Sequence, residues 1–269
     1  MIENITIGQY LPGNSLIHRM EARTKILATM IYMVSLFLIN NLLGLGLAFL
    51  FTIILILLSE LPIKFLLRGL KPLWIILIFT LILNLFFTPG EILAQVGPFR
   101  ITSEGIWRAL LMTSRIILLV LGTSILTLTT SPISLTDGIE RLLSPGKKLG
   151  IPSHELAMMM SIALRFIPTL IEETTKIMKA QMARGADFES GNIFRRAKNM
   201  VPILVPLFIG AFRRADELAM AMEARCYRGG DNRTKMKETR VGLIDYLALL
   251  VIGIFCGVTI ATRFLNNLI

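Results

Sequence analysis

Five apolar runs divide the chain, at residues 26–39, 42–58, 73–87, 106–130 and 241–262. About 20 apolar residues in a helix cross the hydrocarbon core of a bilayer, and each run is read as a transmembrane helix. Asn40-Asn41 separates the first two as a tight, uncharged turn, and residues 88–105 form a longer connection with a Gly97-Pro98 turn. After Pro132 the pattern changes. Residues 135–143 read as a short amphipathic helix ending at Ser144-Pro145-Gly146, and Leu149-Gly150-Ile151-Pro152 is a breaker with Ser153 as the N-cap of the next helix. Residues 156–167 and 200–212 are apolar only over the length of an interfacial or re-entrant piece. Pro168 bends or interrupts the first, and Pro202 and Pro206 lie inside the second.

Each short piece leads into a charged stretch, Glu172, Glu173, Lys176 and Lys179 in one case and Arg213, Arg214, Asp216 and Glu217 in the other. Glu172 and Lys176, four apart, support a helix with a wet face. The two stretches end alike, in Met182-Ala183-Arg184-Gly185 and Glu223-Ala224-Arg225-Cys226, with the arginines 41 residues apart. The unit is read as a loose internal repeat. A single Ala-Arg-Gly carries almost no information; two at matched helix ends between apolar pieces do.

Composition sharpens this picture. With 269 residues, 54% hydrophobic, and a mean hydropathy of +0.69, the chain is expected to be an integral membrane protein. Its net charge of +10 is unevenly placed, because 18 of the 28 basic residues fall between Pro132 and Arg240. By the positive-inside rule that segment is cytoplasmic, which argues against nucleic acid as the reason for the charge. The leader before Lys25 carries turn residues and positive charge and is also placed inside; it does not resemble a cleaved signal peptide, so the first span itself targets the cell membrane. The fold class is therefore an all-α, multi-pass membrane protein with about five transmembrane helices plus bent amphipathic cytoplasmic helices. Residues 1–131 hold the leader and helices one to four, 132–240 the cytoplasmic and interfacial region, and 241–269 the last transmembrane helix, whose end lies outside.

Catalytic signatures are missing. There is no phosphate-binding loop of the form G-x-x-x-x-G-K-[ST], no G-x-S-x-G elbow, and no His/Cys ligand spacing around His18, His154, Cys226 or Cys256. No carboxylate lies well inside the five spans, so a proton relay is not expected and active transport would draw energy from another chain. Arg115, within the fourth span, is either a snorkelling or bundle-facing structural residue or a functional one. The paired helices could lie on anionic lipid, but lipid needs no matched Ala-Arg at a helix end. A protein groove does, since alanine permits close approach and arginine offers a rigid fork of donors. An Arg at a helix C-terminus also complements the helix dipole. Met158, Met159, Met160, Met178, Met182, Met200, Met220 and Met222 cluster on these helices. Methionine at any one position is ordinarily core packing; as a set, these are a candidate surface that repacks against different partners.

The chain resembles the transmembrane T components of energy-coupling factor transporters, the family of EcfT and the cobalt-transport protein CbiQ. The resemblance rests on Leu11-Pro12-Gly13-Asn14-Ser15 with His18, Arg23-Thr24-Lys25, Thr129-Thr130-Ser131-Pro132, Leu149-Gly150-Ile151-Pro152, Leu164-Arg165-Phe166-Ile167-Pro168 and the two arginine ends. It implies that Ala183, Arg184 and Gly185, and Ala224, Arg225 and Cys226, close coupling helices that dock on two cytoplasmic ABC ATPases. Cys226 stands where the family usually has glycine. The resemblance further implies that the chain is not an enzyme and holds no cofactor, that ATP and Mg are bound by the ATPases, and that a small substrate-binding membrane S component is a second partner, with the methionine set as its candidate surface. Nucleotide-driven movement of the ATPases would then tilt the S component and expose its vitamin or metal site to the cytoplasm. A self-contained secondary carrier or channel, and a membrane-surface scaffold, are the alternative readings.

Overall fold

The computed structural model describes residues 10–96, 99–150, 152–188, 192–229 and 241–266. Ten helices account for nearly all of this: α1 (Leu16–Arg19), α2 (Ala22–Leu38), α3 (Leu42–Ser59), α4 (Ile63–Leu70), α5 (Trp74–Phe87), α6 (Ser103–Thr129), α7 (Pro132–Leu143), α8 (Ser153–Ala183), α9 (Ile193–Ala224) and α10 (Leu243–Asn266). A two-stranded antiparallel ribbon, β1 (Ile92–Val96) with β2 (Phe99–Thr102), fills the connection read as a loop; the Gly97-Pro98 turn lies outside the described residues. The described residues between Ile139 and Lys237 form one compact unit, and those within Gly8–Gly138 and Glu238–Ile269 form another.

The second of these units is a helix bundle organised on α6, which packs against α2, α3, α4 and α5, while α10 packs against α2 and α3. Its apolar centre is Tyr32, Leu36, Ile39, Leu45, Ala48, Leu118, Ile252 and Phe255. Tyr32 is buried with its hydroxyl satisfied twice, 2.7 Å from Thr52 Oγ1 and donating to the Leu118 carbonyl at 3.2 Å. Gly122 makes room for that ring, since a Cβ there would stand 2.4 Å from it.

Segments that are far apart in sequence but prominent in the sequence reading meet at one end of this bundle. Ser15 caps α1, and its hydroxyl lies 2.7 Å from His18 Nδ1, while His18 Nε2 reaches the Leu11 carbonyl at 3.0 Å. The Leu11 amide donates to the Leu128 carbonyl. Lys25 is buried, yet its ammonium donates to the carbonyls of Thr129 and His18 at 2.9 and 3.3 Å. A helix leaves its last carbonyls without internal partners, and Lys25 supplies one to the end of α6. Asp245, also buried, accepts from the amides of Glu21 and Gly242 and so joins the start of α10 to the start of α2. Ser131 caps α7 through the Ser134 amide.

Arg115 faces the bundle at the end of α2. Its guanidinium donates to the Ile39 carbonyl at 2.6 Å, just past the end of α2, and lies 5.8 Å from the centre of the Phe37 ring. A cation at a helix C-terminus is favourable for the carbonyls and the dipole alike.

Among the described residues five helical stretches are long and apolar enough to cross a membrane: α3, Ile63–Phe87 comprising α4, one 3-10 turn and α5, then α6, α8, and α10 to Arg263. The number matches the sequence expectation but the membership differs. The first predicted span, α2, starts four residues before its apolar run, includes Arg23 and Lys25, and is 17 residues long. In its place stands α8, because Pro168 does not divide it: the helix runs unbroken for 31 residues. The short pieces expected at 156–167 and 200–212 are thus stretches of much longer helices. Ser153, expected as an N-cap, is the first helical residue, and Pro152 precedes it without a side-chain capping bond.

Candidate functional site

The unit containing α8 and α9 is built differently from a core. Among its described residues in these two helices, only Ser153, Ala157 and Ile203 are buried. The helices persist because their interiors are rich in Ala, Met, Leu, Glu and Lys, which hold helix well. A proline in the interior withholds one amide and crowds the preceding turn, but the remaining bonds carry α8 through Pro168 and α9 through Pro202 and Pro206.

Both helices stop in the same way. At the end of α8 the Gly185 amide donates to the Met182 carbonyl at 2.9 Å and the Ala186 amide to Gln181 at 3.0 Å. At the end of α9 the Cys226 amide donates to Glu223 at 2.8 Å and the Tyr227 amide to Met222 at 3.0 Å. These are the paired bonds of a Schellman ending, which requires the residue after the cap to adopt the left-handed conformation. Gly185 does so at φ 86° and Cys226 at φ 55°. Every position in one ending maps onto the other with the offset of 41 residues. The turn that the glycine-to-cysteine difference put in question therefore keeps its form.

Arg184 and Arg225 occupy the same place in the two endings, and both are exposed, as are Ala183, Gly185, Ala224 and Cys226. Neither guanidinium makes a hydrogen bond or ion pair to any described residue. Each presents five donors in a planar fork beside a side chain no larger than a methyl group, at a helix end where carbonyls are already satisfied by the turn. Such an end can insert into a surface groove and engage carboxylates or carbonyls there.

The contact that relates the two helices is not legible in either helix alone. Arg214 Nη2 donates to Glu173 Oε2 in an ion pair between α9 and α8. Gly210, one turn before Arg214, lies beneath the same carboxylate, where a Cβ would stand 3.1 Å from Glu173 Oε1. By sequence both charges belong to wet faces, yet each retains only about a quarter of its side-chain exposure, 29% and 26%. A signal is present in the repeat. Glu173 and Arg214 are themselves 41 residues apart, so opposite charges stand at equivalent positions.

The methionine set is not one stripe. Met159, Met160, Met182, Met200 and Met220 are exposed, Met158, Met178 and Met222 are half-buried, and none is in a core. At 100° per residue Met160, Met178 and Met182 share a face of α8, whereas Met200 and Met220 lie on opposite sides of α9.

Residues 13–236 match the family of the cobalt transport protein CbiQ. The chain is 57% identical to the energy-coupling factor transporter transmembrane protein EcfT of Thermosediminibacter oceani over 264 residues, 98% of this chain and 100% of the relative. It is 59% identical to the EcfT protein of Acidaminococcus fermentans over 251 residues, 93% and 94% of the two chains. With that of Bacillus subtilis it shares 51% over 239 residues, 88% and 90% of the two.

Proposed function

The chain belongs to the CbiQ cobalt transport protein family, and from that premise we propose that it is the transmembrane energy-coupling subunit of an energy-coupling factor transporter. In this reading α8 and α9 are coupling helices. Arg184 and Arg225, each in its Schellman ending, dock into grooves on two cytoplasmic ABC ATPases. The ATPases bind ATP and Mg; this chain performs no chemistry and transmits their motion to a membrane S component that holds a vitamin or a transition-metal ion. The methionines of α8 and α9 form part of the surface that grips the S component, since an unbranched thioether repacks at little cost when partners differ.

The observation that carries this reading is the matched pair of helix ends, each with an exposed arginine that has no partner among the described residues, in the same backbone setting. Two equivalent ends suit two similar partners. Charge supports the orientation: 18 of the 28 basic residues fall between Pro132 and Arg240, so both arginine ends and the N-terminus face the cytoplasm and the C-terminus lies outside.

Reconstitution tests the reading. Proteoliposomes containing this chain with its ATPases and an S component take up that component's substrate only when ATP is supplied on the side of the ATPases. Uptake by this chain alone, without ATP, would instead establish a self-contained carrier.

A further inference from the structure

A cavity of about 330 Å³ lies within the helix bundle, between α2, α3, α6 and α10; it is the size of a small-ligand pocket. Each helix gives it one face at helical spacing, as Lys25, Ala28, Thr29 and Tyr32 do on α2. Leu58, Thr129 and Ile244 mark one end of it, at the ends of α3 and α6 and the start of α10, and Phe51, Gly122 and Ile252 mark the other. From Lys25 to Tyr32 the cavity runs about 10 Å along α2, most of the roughly 15 Å of hydrocarbon in one leaflet. Aromatic rings close the deep end: Tyr32 and Phe51 line it, and Phe51 stacks on Phe255 with 4.3 Å between ring centres. Beyond that stack Asn41 Nδ2 donates to the Thr262 carbonyl and ties α3 to α10. Leu58, Leu247 and Val251 line the cavity and are also exposed on these two candidate spans. The cavity is therefore continuous with the surface that α3 and α10 turn to the bilayer.

We propose that this cavity is a binding site for the hydrocarbon tail of a membrane phospholipid. The chemistry of its wall selects the occupant. Those of its polar side chains that could attract water are engaged by protein. The Tyr32 hydroxyl meets Thr52 and the Leu118 carbonyl, the Thr29 and Thr129 hydroxyls donate to carbonyls of their own helices, and the Lys25 ammonium donates to the carbonyls of His18 and Thr129. Such a wall favours hydrocarbon over water, which needs about two to four polar partners when buried. Interiors keep few voids larger than a water molecule, because an unfilled wall forfeits its dispersion contacts; a tail restores them. A phospholipid tail is the hydrocarbon that surrounds α3 and α10 at this depth, and it enters sideways while its headgroup stays in water. That the leaflet is the cytoplasmic one rests on the orientation proposed above; occupancy of the cavity does not.

The test is photolabelling of the full chain in vesicles of phosphatidylcholine and phosphatidylglycerol, with a phosphatidylcholine bearing a diazirine on its tail in both leaflets. Adducts are mapped by mass spectrometry. Ile75 and Phe79 report ordinary lipid contact, since they are exposed on α5, a helix with no buried residue. Ile252 is only 4% exposed, yet it is expected to be labelled at least as strongly as those two. Ala248→Phe and Ala28→Leu, which fill the cavity from α10 and from α2, each lower the Ile252 adducts at least fivefold and leave those on α5 unchanged. Adducts confined to exposed residues, or Ile252 adducts that persist in both filled variants, overturn the site; the first of these outcomes is decided by the unsubstituted chain alone. The labelling is repeated on the complex with its ATPases and S component. Retained Ile252 adducts support the tail as occupant there, whereas their loss would show that a partner chain fills the cavity and would overturn the lipid assignment.

Discussion

The ends of α8 and α9 reach one geometry with different residues. Gly185 enters the left-handed region freely, while Cys226 does so against the steric preference of an L side chain, which costs about 1–2 kcal/mol. Among the described residues only Glu60 shares that condition without being glycine. A penalty retained at one of two equivalent ends shows that the ending is imposed by its surroundings: the hydrogen bonds from Cys226 and Tyr227 back to Glu223 and Met222 hold it. What the two ends have in common is then the exposed arginine and the direction in which the turn presents it.

Reversing that charge is the largest break. Arg184→Glu and Arg225→Glu are each expected to lower ATP-driven uptake by on the order of 30-fold or more, the cost of losing a charged anchor and gaining a repulsion, with membrane insertion unchanged. Uptake kinetics in vesicles, with the inserted chain quantified by blot, checks this. Comparable losses at the two sites confirm their equivalence, and a loss at one alone would show that the repeat is a resemblance of shape and not of role. A smaller effect comes from Gly185→Val, which forces a β-branched side chain into the left-handed region and should destabilise the α8 ending by about 2 kcal/mol. Hydrogen exchange at the Gly185 and Ala186 amides, faster by about 30-fold at that cost, reports it. Smallest is Cys226→Gly, which relieves the strain at the second ending and should slow exchange of the Tyr227 amide by about fivefold, corresponding to about 1 kcal/mol. If exchange there does not slow, the cysteine is not strained and the two ends are less alike than their hydrogen bonds suggest.

Much of the fold was legible because apolar runs longer than a soluble core needs leave few alternatives. The runs at 42–58, 73–87 and 106–130 correspond closely to α3, α5 and α6. The repeat and the placement of both arginines at helix ends were also readable, since Ala-Arg-Gly combines a helix former with the residue that closes a helix. Continuity through Pro168 was not readable, because a missing amide is equally consistent with a bend and a break, and the bonds around it decide. Arg115 is a cost by sequence alone, and the Ile39 carbonyl that offsets it is a partner 76 residues away that no local pattern names. The same applies to Glu173 and Arg214: each looks solvated in its own helix, and only superposing the repeat on itself puts the two charges together.

The central claim, that these two ends meet the ATPases, is tested most directly by photo-crosslinking. A benzophenone side chain replacing Ala186 or Tyr227, equivalent positions just past the two turns, leaves both arginines in place. In native membranes each is predicted to crosslink to an ATPase subunit, with the yield changing when ATP is added. Crosslinks to lipid alone at both positions, unchanged by ATP, would contradict the account.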